Sequence, residues 1–348
     1  MTANPTRYDC TGLVSAATRI LAACGVPEEH ARQTAECLVS SDLRGVETHG
    51  LIRLKFYVDR LKAGGNNPRP DMQVLRDSPT CALLDGDNGL GPVGGTLGMQ
   101  MALAKADATG IGAVSVRNCN HYGAAAYYAM MALPQDMIGV SMTNTLASMA
   151  PTGGTRAAVG NNPFAIAFPA GKERPVVLDM ATSKSSWGKL FVCAQTGDPL
   201  PEDCFQGPDG LPTTDAAAVM QGGFLLPIAG YKGYGMALMI SMLTGVLAGW
   251  TLDPEIVHPY KKLDAPGDNS FFMLAMRVDQ FGPAEEFKQR ADAAIRYIRE
   301  TPPAPGVDRV WLPGEKEWVT EEQRRQEGIA LAEGTLKEMR ALGVEVTL

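Results

Sequence analysis

Short β-rich runs separated by helical stretches occupy the middle of the chain, and no other sequence feature constrains the fold as strongly. Helical segments at 96–108 and 124–132 lie between some of these runs. Strands mixed with helices indicate an α/β or α+β domain. The runs that predict strands are 80–84, 112–116, 138–142, 164–168, 176–178 and 271–278.

The two ends of the chain are helical by pattern instead. Near the amino end, apolar residues recur at helical spacing, and the third predicted helix begins with Thr48 as its N-cap. Near the carboxyl end, 320–342 predicts an amphipathic helix that could return to the first segment. We therefore predict a helical domain built from residues 1–72 and 305–348, and a mixed α/β domain over 73–304.

The charge balance and the cysteines exclude several functional classes. The 348 residues carry a formal net charge of −7, which argues against a broad nucleic-acid footprint and against an anionic membrane surface. Seven cysteines, an odd number, form no C-x-x-C pair and no Cys/His cluster, so neither a disulfide scaffold nor a metal site is expected. The first residues also lack the apolar stretch of a signal peptide. Together these features predict a cytoplasmic protein that binds neither nucleic acid nor metal.

Residues 233–252 carry no charged side chain over a stretch about as long as a bilayer crossing. Four glycines and the polar Ser241 and Thr244 dilute this stretch, and no Lys/Arg-rich flank orients it. We therefore interpret it as a buried helix, with a single membrane span as the alternative.

Two of the four histidines are placed for chemistry. His49 and Arg53 lie four residues apart, which would put an imidazole and a guanidinium on one helix face. His121 follows a predicted strand and precedes a predicted helix, and functional side chains often occupy this carboxyl end of a strand. An imidazole beside a guanidinium suits a substrate with a carboxylate next to a group that gains or loses a proton. His30 and His258 are interpreted as surface residues.

The segment Gly89-Leu90-Gly91-Pro92-Val93-Gly94 matches the glycine pattern of a Rossmann phosphate loop and follows a predicted strand. A Rossmann fold also needs an acidic residue about 20 positions later, at the end of the next strand. That strand ends in Arg117-Asn118, and Asp107 falls within a predicted helix. We therefore interpret the glycines as a turn that opens a helix.

Two further segments bring together groups suited to binding. Residues 178–185 follow a β-rich run and carry the carboxylate of Asp179 together with hydroxyls and a lysine. Tyr231-Lys232-Gly233-Tyr234-Gly235 opens the long apolar helix, and a helix N-terminus with a lysine and glycines is suited to an anion.

Six motifs in this order resemble those of the malate/L-lactate dehydrogenase family, whose fold is not Rossmann-like. The resemblance spans residues 8–318, and the family includes sulfolactate, ureidoglycolate and diketogulonate dehydrogenases and the Δ1-piperideine/pyrroline-2-carboxylate reductases. The motifs are Thr48-His49-Gly50-x-x-Arg53, Asn120-His121-x-Gly123, Asn162-Pro163, Leu178-Asp179-Met180-Ala181-Thr182-Ser183, Tyr231-Lys232-Gly233-x-Gly235 and Leu312-Pro313-Gly314-Glu315.

The resemblance implies a cytoplasmic homodimer with its site near the subunit interface and with NAD or NADP bound by the mixed α/β domain. It implies hydride transfer between the nicotinamide and C2 of a small 2-hydroxy or 2-oxo acid, such as malate or lactate. The alternative substrate is a cyclic imino acid, Δ1-pyrroline- or Δ1-piperideine-2-carboxylate. A non-catalytic dinucleotide-binding protein is the competing class.

The motifs also imply roles for individual residues. The proton donor is His49 or His121, Arg53 holds the substrate carboxylate, and Asp179 could orient or charge the imidazole. Cofactor contacts are implied at Thr145, Asp179, Met180, Ala181, Thr182, Ser183, Lys232, Gly233, Gly314, Glu315 and Lys316.

Overall fold

The centre of the fold is a seven-stranded mixed sheet. The structure, a computed structural model, describes residues 6–343, so the outermost parts of the predicted helical domain, 1–5 and 344–348, lie outside the described residues. The strands of this sheet are β2 (Gln73–Asp77), β3 (Cys81–Gly89), β4 (Ile111–Cys119), β5 (Met137–Thr143), β6 (Phe164–Phe168), β7 (Val176–Met180) and β10 (Asn269–Arg277). Their order across the sheet is β2-β3-β4-β10-β5-β6-β7.

Only one neighbouring pair in this sheet is parallel. β3 and β4 run in parallel, and every other adjacent pair is antiparallel. β10, the last of these strands in sequence, lies between β4 and β5 and pairs with both. A Rossmann sheet is mostly parallel, so the expectation of a mixed, non-Rossmann sheet is confirmed. Six predicted strands are present, whereas β2 was not predicted.

Helices cover the sheet and form the two ends of the chain. Two short pairs complete the strands: β1 (Arg7–Tyr8) with β11 (Ile329–Ala330), and β8 (Phe205–Gln206) with β9 (Phe224–Leu225). The helices are α1 (Cys10–Ala22), α2 (Glu28–Leu43), α3 (Leu54–Ala63), α4 (Gly91–Thr109), α5 (Ala125–Ala129), α6 (Trp187–Thr196), α7 (Ala216–Met220), α8 (Tyr231–Ser241), α9 (Ala284–Arg299), α10 (Glu315–Glu327) and α11 (Glu333–Ala341).

The amino- and carboxyl-terminal helices share one hydrophobic core. Leu13, Leu38 and Tyr57 from the amino end pack in the same buried cluster as Leu336 and Met339 from α11. The β1–β11 pair joins the same two ends of the chain. This packing is the kind expected for a helical domain built from both ends, and the exact boundaries at 72 and 305 stay a prediction.

Three predicted helices differ from the structure. The segment 124–132 is α-helical only over α5, and a 3₁₀ turn, Met130–Gln135, continues it. The segment 320–342 is divided between α10 and α11, because Gly328 has a φ of 85° and ends α10. The predicted helix at Thr48 begins only at Leu54, as α3, and two 3₁₀ turns, Glu47–His49 and Leu51–Arg53, precede it.

The long apolar segment is not a buried helix in the single chain. α8 continues into a π-helical turn, Met242–Val246, and one side of this helix is open to solvent. Within residues 6–343, no helix is both long enough and apolar enough to span a bilayer. The exposed apolar side chains, which we call the methionine face, are Met236, Met239, Met242, Leu243, Val246 and Leu247.

The glycines at 89–94 allow the start of α4 to pack closely against the end of β4 and the residues that follow it. A Cβ at Gly91 would lie 2.3 Å from the carbonyl oxygens of Asn120 and His121, and one at Gly94 would lie 2.6 Å from Cys119 Sγ. The start of α4 therefore presses against the chain that follows β4. This contact confirms the interpretation of a turn that opens a helix, and it also fixes the position of His121.

Candidate active site

His121 lies in a tight turn between β4 and α5. Asn118, near the end of β4, and Gly123, within the turn, have positive φ values of 54° and 81°. Asn120 is buried, and its Nδ2 donates to the carbonyl oxygens of Asn88 and Gly89 at 2.9 Å. The turn is thus tied to the end of β3, and the imidazole of His121 projects from a rigid frame.

His49 lies in the first of the two 3₁₀ turns, and a buried carboxylate shapes that segment. Asp42, at the end of α2, accepts a 2.7 Å hydrogen bond from the backbone N–H of Leu51. A Cβ on Gly50 would lie 2.0 Å from Asp42 Oδ1, so only glycine allows this approach. Burial raises the pKa of Asp42 to about 7, since desolvation penalises its charged form more than the Leu51 hydrogen bond favours it.

The two imidazoles stack on each other beside a guanidinium. The ring centroids of His49 and His121 are 5.7 Å apart, and the ring planes are inclined by 18°. Burial and then the charge of Arg53 lower the pKa of both rings, that of His49 to about 4. The structure therefore brings the three predicted side chains together, although the expected shared helix face is replaced by two 3₁₀ turns.

A tyrosine that the sequence did not single out holds His121. The hydroxyl of Tyr57, on α3, is 2.8 Å from His121 Nδ1 and 3.2 Å from the His121 carbonyl oxygen. The backbone N–H of Gly123 also points at Nδ1, at 3.4 Å. The Tyr57 oxygen can accept from Nδ1–H while its own O–H donates to the carbonyl oxygen, so this shorter contact favours a neutral ring with its proton on Nδ1 and a free lone pair on Nε2.

A cleft of about 400 Å³ opens beside His49. Its lining is mainly apolar, with small residues such as Gly123, Ala181 and Gly314 that let a flat ring approach the backbone. The polar lining groups include Arg44 and Asp179. An apolar cleft of this size with few polar groups is typical of a cofactor or ligand site, and it fits part of a dinucleotide.

Asp179 lines the cleft, and within residues 6–343 it forms no hydrogen bond with either histidine ring. Its Oδ2 accepts a 2.8 Å hydrogen bond from the backbone N–H of Ala126, at the start of α5. Burial raises the pKa of Asp179 to about 6, against the opposing effects of that hydrogen bond and the charge of Arg44. Arg44 in turn pairs with Glu321 at 2.7 Å and lies 4.2 Å from the ring of Trp318.

The predicted cofactor residues near the ends of β5 and β7 form one connected group. Met180 and Ala181 line the cleft with Asp179, and the Thr145 hydroxyl donates to Asn161 Oδ1 at 2.9 Å. Thr182 donates from its backbone to the Asn161 carbonyl oxygen, also at 2.9 Å. Ser183 follows and forms an isolated bridge with Pro227.

Lys232 and Gly233 begin α8 and lie outside the cleft lining. The backbone N–H of Gly233 donates to Ile228, and that of Ile228 donates to Thr182. This pair is therefore connected to the Thr182 segment through the backbone, and the Lys232 side chain is exposed.

The third group of predicted cofactor residues lies at the start of α10, and only its first member lines the cleft. Gly314 lines the cleft, but the carboxylate of Glu315 is buried and pairs with Arg309 at 2.5 Å and with Arg299 at 3.3 Å. Lys316 lies over the ring of Trp311 at 5.7 Å. The charged groups at 315 and 316 are thus engaged within the protein, away from the cleft.

Three residues that the sequence did not indicate complete the surroundings of the histidines. They are Tyr57, Phe56 and Tyr260; the Phe56 ring lies 4.6 Å from Tyr260 and 6.2 Å from His121. Phe56 and Tyr57 lie three and four residues after Arg53, so the helical periodicity of α3 could have indicated Tyr57. No local signal indicated Tyr260, which lies 207 residues after Arg53 in the chain.

Comparisons with known proteins agree with this geometry. Residues 9–340 match the family model described as malate/L-lactate dehydrogenase. The chain is 42% identical over 342 residues to malate dehydrogenase of Pyrococcus horikoshii, covering 96% of this chain and 94% of the relative. It is 33% identical to the ureidoglycolate dehydrogenase (NAD(+)) of Escherichia coli O157:H7, covering 90% and 89% of the two chains.

Solved structures show the same fold. The Pyrococcus horikoshii malate dehydrogenase structure superposes with a TM-score of 0.89 at 39% identity, covering 99% of this chain and 98% of that one. The structure of Δ1-piperideine-2-carboxylate reductase from Pseudomonas syringae pvar. tomato gives a TM-score of 0.88 at 25% identity, covering 97% and 100%.

The mixed sheet, the histidine–arginine cluster and these similarities define the class of the protein: it is an oxidoreductase, a dehydrogenase built on a fold other than the Rossmann fold. Dehydrogenases of this kind use nicotinamide cofactors, as the name of the ureidoglycolate enzyme states for that relative. The chain belongs to the malate/L-lactate dehydrogenase family.

Proposed function

We propose that this enzyme interconverts a small 2-oxo acid, such as oxaloacetate or pyruvate, and the corresponding 2-hydroxy acid with NAD(H) or NADP(H). The observation that carries the proposal is the pair of imidazoles, 5.7 Å apart, beside the guanidinium of Arg53 at the edge of the cleft. When bound, the nicotinamide supplies or accepts the hydride. The protein must then bind the carboxylate and transfer one proton at the C2 oxygen.

Arg53 is the proposed carboxylate-binding residue. Its Nε donates to the Thr48 carbonyl oxygen at 2.7 Å, which orients the guanidinium so that an anion would approach its two terminal nitrogens, where Nη1 also donates to the Tyr260 hydroxyl. A planar guanidinium can hold a carboxylate through two parallel hydrogen bonds. This grip would fix C2 of the substrate beside the imidazoles.

His121 is the proposed proton donor and acceptor of the two histidines. Because the Tyr57 hydroxyl engages its Nδ1, its Nε2 is the atom free to exchange a proton with the substrate oxygen. The charge of Arg53 lowers the pKa of this ring, and a carboxylate bound to Arg53 would offset that charge. Substrate binding is therefore expected to raise the pKa of His121 and so to favour proton uptake before reduction.

His49 and Asp179 are proposed to act beside this centre. The His49 ring lies between the cleft and His121, and its Nδ1 is 3.0 Å from the Thr48 hydroxyl. Asp179 is proposed to position α5 through Ala126, since no hydrogen bond joins it to either imidazole within residues 6–343. The cofactor is proposed to lie along Asp179–Ala181 and Gly314, which line the cleft.

Steady-state kinetics of the purified enzyme test the proposal. The substrates are oxaloacetate, pyruvate and Δ1-piperideine-2-carboxylate, each with NADH and NADPH. His121→Ala is expected to lower kcat by about 10²–10⁴-fold, the usual contribution of a general acid. Arg53→Lys is expected to raise KM, because an ammonium group lacks the planar fork.

Two outcomes would change the assignment. Turnover of the imine alone would make the enzyme a cyclic imino acid reductase, the activity that the Pseudomonas syringae neighbour is named for. A decrease in kcat of less than tenfold for both His121→Ala and His49→Ala would contradict the role of the histidines. Absence of turnover with every acid, together with tight NADH binding, would favour a non-catalytic dinucleotide-binding protein.

We also propose that two copies of the chain associate through the methionine face in a cytoplasmic homodimer. The face exposes six apolar side chains on one helix, and a large apolar patch of this kind is typical of an association surface. Seven free cysteines fit a reducing compartment. Light scattering is expected to give twice the mass of the chain, and Met239→Asp, at an exposed side chain of the face, is expected to give the single mass. A wild-type protein of single mass would contradict this proposal.

A further inference from the structure

Tyr260 extends into the proposed substrate site from a distant part of the chain. It belongs to the segment 256–268, between a 3₁₀ turn at Asp253–Glu255 and β10. Its ring packs on Phe56 with a centroid distance of 4.6 Å, and 48% of its surface is exposed. Its hydroxyl forms a hydrogen bond with Nη1 of Arg53. The phenol therefore stands at the guanidinium that is proposed to bind the substrate carboxylate.

The hydrogen bonds of Arg53 indicate that the Tyr260 hydroxyl accepts from the guanidinium and can donate to a bound carboxylate. Nε is already used by the Thr48 carbonyl oxygen, so an incoming carboxylate must approach Nη1 and Nη2, where Tyr260 lies. An arginine N–H can only donate, so the Tyr260 oxygen accepts from Arg53 and keeps its own O–H free. Among residues 6–343, Arg53 is the only hydrogen-bond partner of this hydroxyl. A carboxylate on Arg53 would thus find a third donor, the phenol O–H, beside it.

A second arginine fixes the position of the segment that carries Tyr260. The guanidinium of Arg60, on α3, is almost fully buried, with 1% of its surface exposed. It forms hydrogen bonds on both sides of Tyr260 and to the residue before His121. Its partners are the carbonyl oxygens of Gly65, Pro259, Lys262 and Ala265, Oδ1 of Asn66 and Oδ1 of Asn120.

This arrangement makes the position of Tyr260 depend on the interior of the protein. A guanidinium buried with a full set of acceptors is costly to move, because each acceptor left without its donor loses a hydrogen bond that water cannot replace. Gly65 adds a steric restraint, since a Cβ there would lie 2.0 Å from the Leu263 carbonyl oxygen. Arg60 therefore sets the spacing between Tyr260, Arg53 and the His121 turn.

We propose that Tyr260 is a substrate-binding residue that donates its hydroxyl hydrogen to the carboxylate held by Arg53, and that Arg60 is the residue that positions it. This inference rests on the proposed function, because it takes Arg53 as the carboxylate site. It adds a contact that the histidine and arginine motifs of the sequence do not contain.

Tyr260→Phe tests the contact, because it keeps the ring on Phe56 and removes only the hydroxyl. A hydrogen bond to a charged group corresponds to an effect of about tenfold or more. The KM for oxaloacetate or pyruvate is therefore expected to rise at least tenfold, with kcat changed less than threefold and the Kd of NADH unchanged in fluorescence titration. Tyr297→Phe, at an exposed tyrosine outside the site, is the matched control and is expected to keep the wild-type KM.

Calorimetric titration with oxamate, a carboxylate analogue that is not reduced, separates this inference from the proposed function. A wild-type KM for Tyr260→Phe with an active enzyme would overturn the role of Tyr260 and leave the proposed function intact. If the wild type reduces no 2-oxo acid but binds oxamate at least tenfold more tightly than the Tyr260→Phe variant does, the proposed function is overturned and the Tyr260 contact is supported. No turnover of any 2-oxo acid together with no oxamate binding to the wild type in the presence of NADH would overturn both.

A double-mutant comparison tests the role of Arg60. Arg60→Lys is expected to raise KM in the wild type but not further in the Tyr260→Phe background, since it acts through the same hydroxyl. Equal increases in both backgrounds would contradict the positioning role. If Arg60→Lys does not fold, Gly65→Ala displaces the same segment sterically and is expected to give the same non-additive pattern.

Discussion

The buried carboxyl of Asp42 predicts how the stability of the enzyme depends on pH. Its pKa is raised to about 7 in the folded protein by burial, against an ordinary value of 3.8. Between these two values the folded chain holds a proton that the unfolded chain has lost. Folding is therefore favoured at lower pH, and this contribution is lost as the pH rises through about 7.

The size of the effect follows from the proton difference between the two states. From pH 5 to pH 8 the unfolded carboxyl stays ionised, while the folded one loses its proton. Linkage then lowers the free energy of unfolding by about 2.6 kcal/mol over this interval. Asp42→Asn has nearly the same shape and does not titrate, so we expect its free energy of unfolding to lack this decrease.

Urea unfolding followed by circular dichroism at pH 5, 6, 7 and 8 measures the difference, at one protein concentration. The other titrating groups, including Asp179 and the two stacked histidines, are common to both proteins and cancel in the comparison. Asp59→Asn, which removes a carboxylate paired with Lys55 on α3, is the control and should follow the wild type. Parallel pH profiles for wild type and Asp42→Asn would refute the reasoning.

Three further predictions concern the site and its supports. Tyr57→Phe removes the 2.8 Å hydrogen bond to His121 and is expected to lower kcat about fivefold in stopped-flow assays, for a loss of about 1 kcal/mol; an unchanged kcat would exclude a role for the tyrosine. Gly91→Ala forces a Cβ to 2.3 Å from the His121 carbonyl oxygen and should cost about 1–3 kcal/mol of stability in urea unfolding, whereas Gly235→Ala, with open space around it, should cost nothing. Glu315→Gln removes the negative charge that pairs with Arg299 and Arg309. Because a hydrogen bond to a charged group contributes about 1.5–3 kcal/mol, the thermal midpoint should fall, whereas the Kd of NADH should stay within about twofold of the wild-type value. A larger change in Kd would indicate that the carboxylate contacts the cofactor.

The local pattern of apolar residues predicted the strands well, because most strands contain alternating apolar residues or a short run of buried apolar residues that is visible in the sequence. The predicted strand 164–168 coincides with β6, three others fall within observed strands, and the remaining two extend one residue beyond β3 and β10. β2 was missed because all five of its residues are exposed, so no apolar alternation marks it. The exposed Val74 and Leu75 lie at the edge of the sheet, where a strand needs only one neighbour.

The predictions that failed depended on contacts between distant residues. The helix expected from Thr48 is interrupted because Gly50 adopts an extended conformation against Asp42. The apolar helix α8 was expected to be buried, yet the sequence shows only that a surface is apolar and not what covers it. Tyr260 could not be found because it meets Arg53 only through the anchoring of its segment on Arg60.

The placement of β10 between β4 and β5 has a consequence for how the chain folds during synthesis. Until residue 277 has left the ribosome, the sheet can exist only as two halves, β2-β3-β4 and β5-β6-β7, each with an unpaired inner edge. At typical rates of translation these edges stay open for on the order of ten seconds. Unpaired edges invite association with other chains, so nascent chains of this enzyme should depend on chaperones most strongly between the completion of β7 and the arrival of β10.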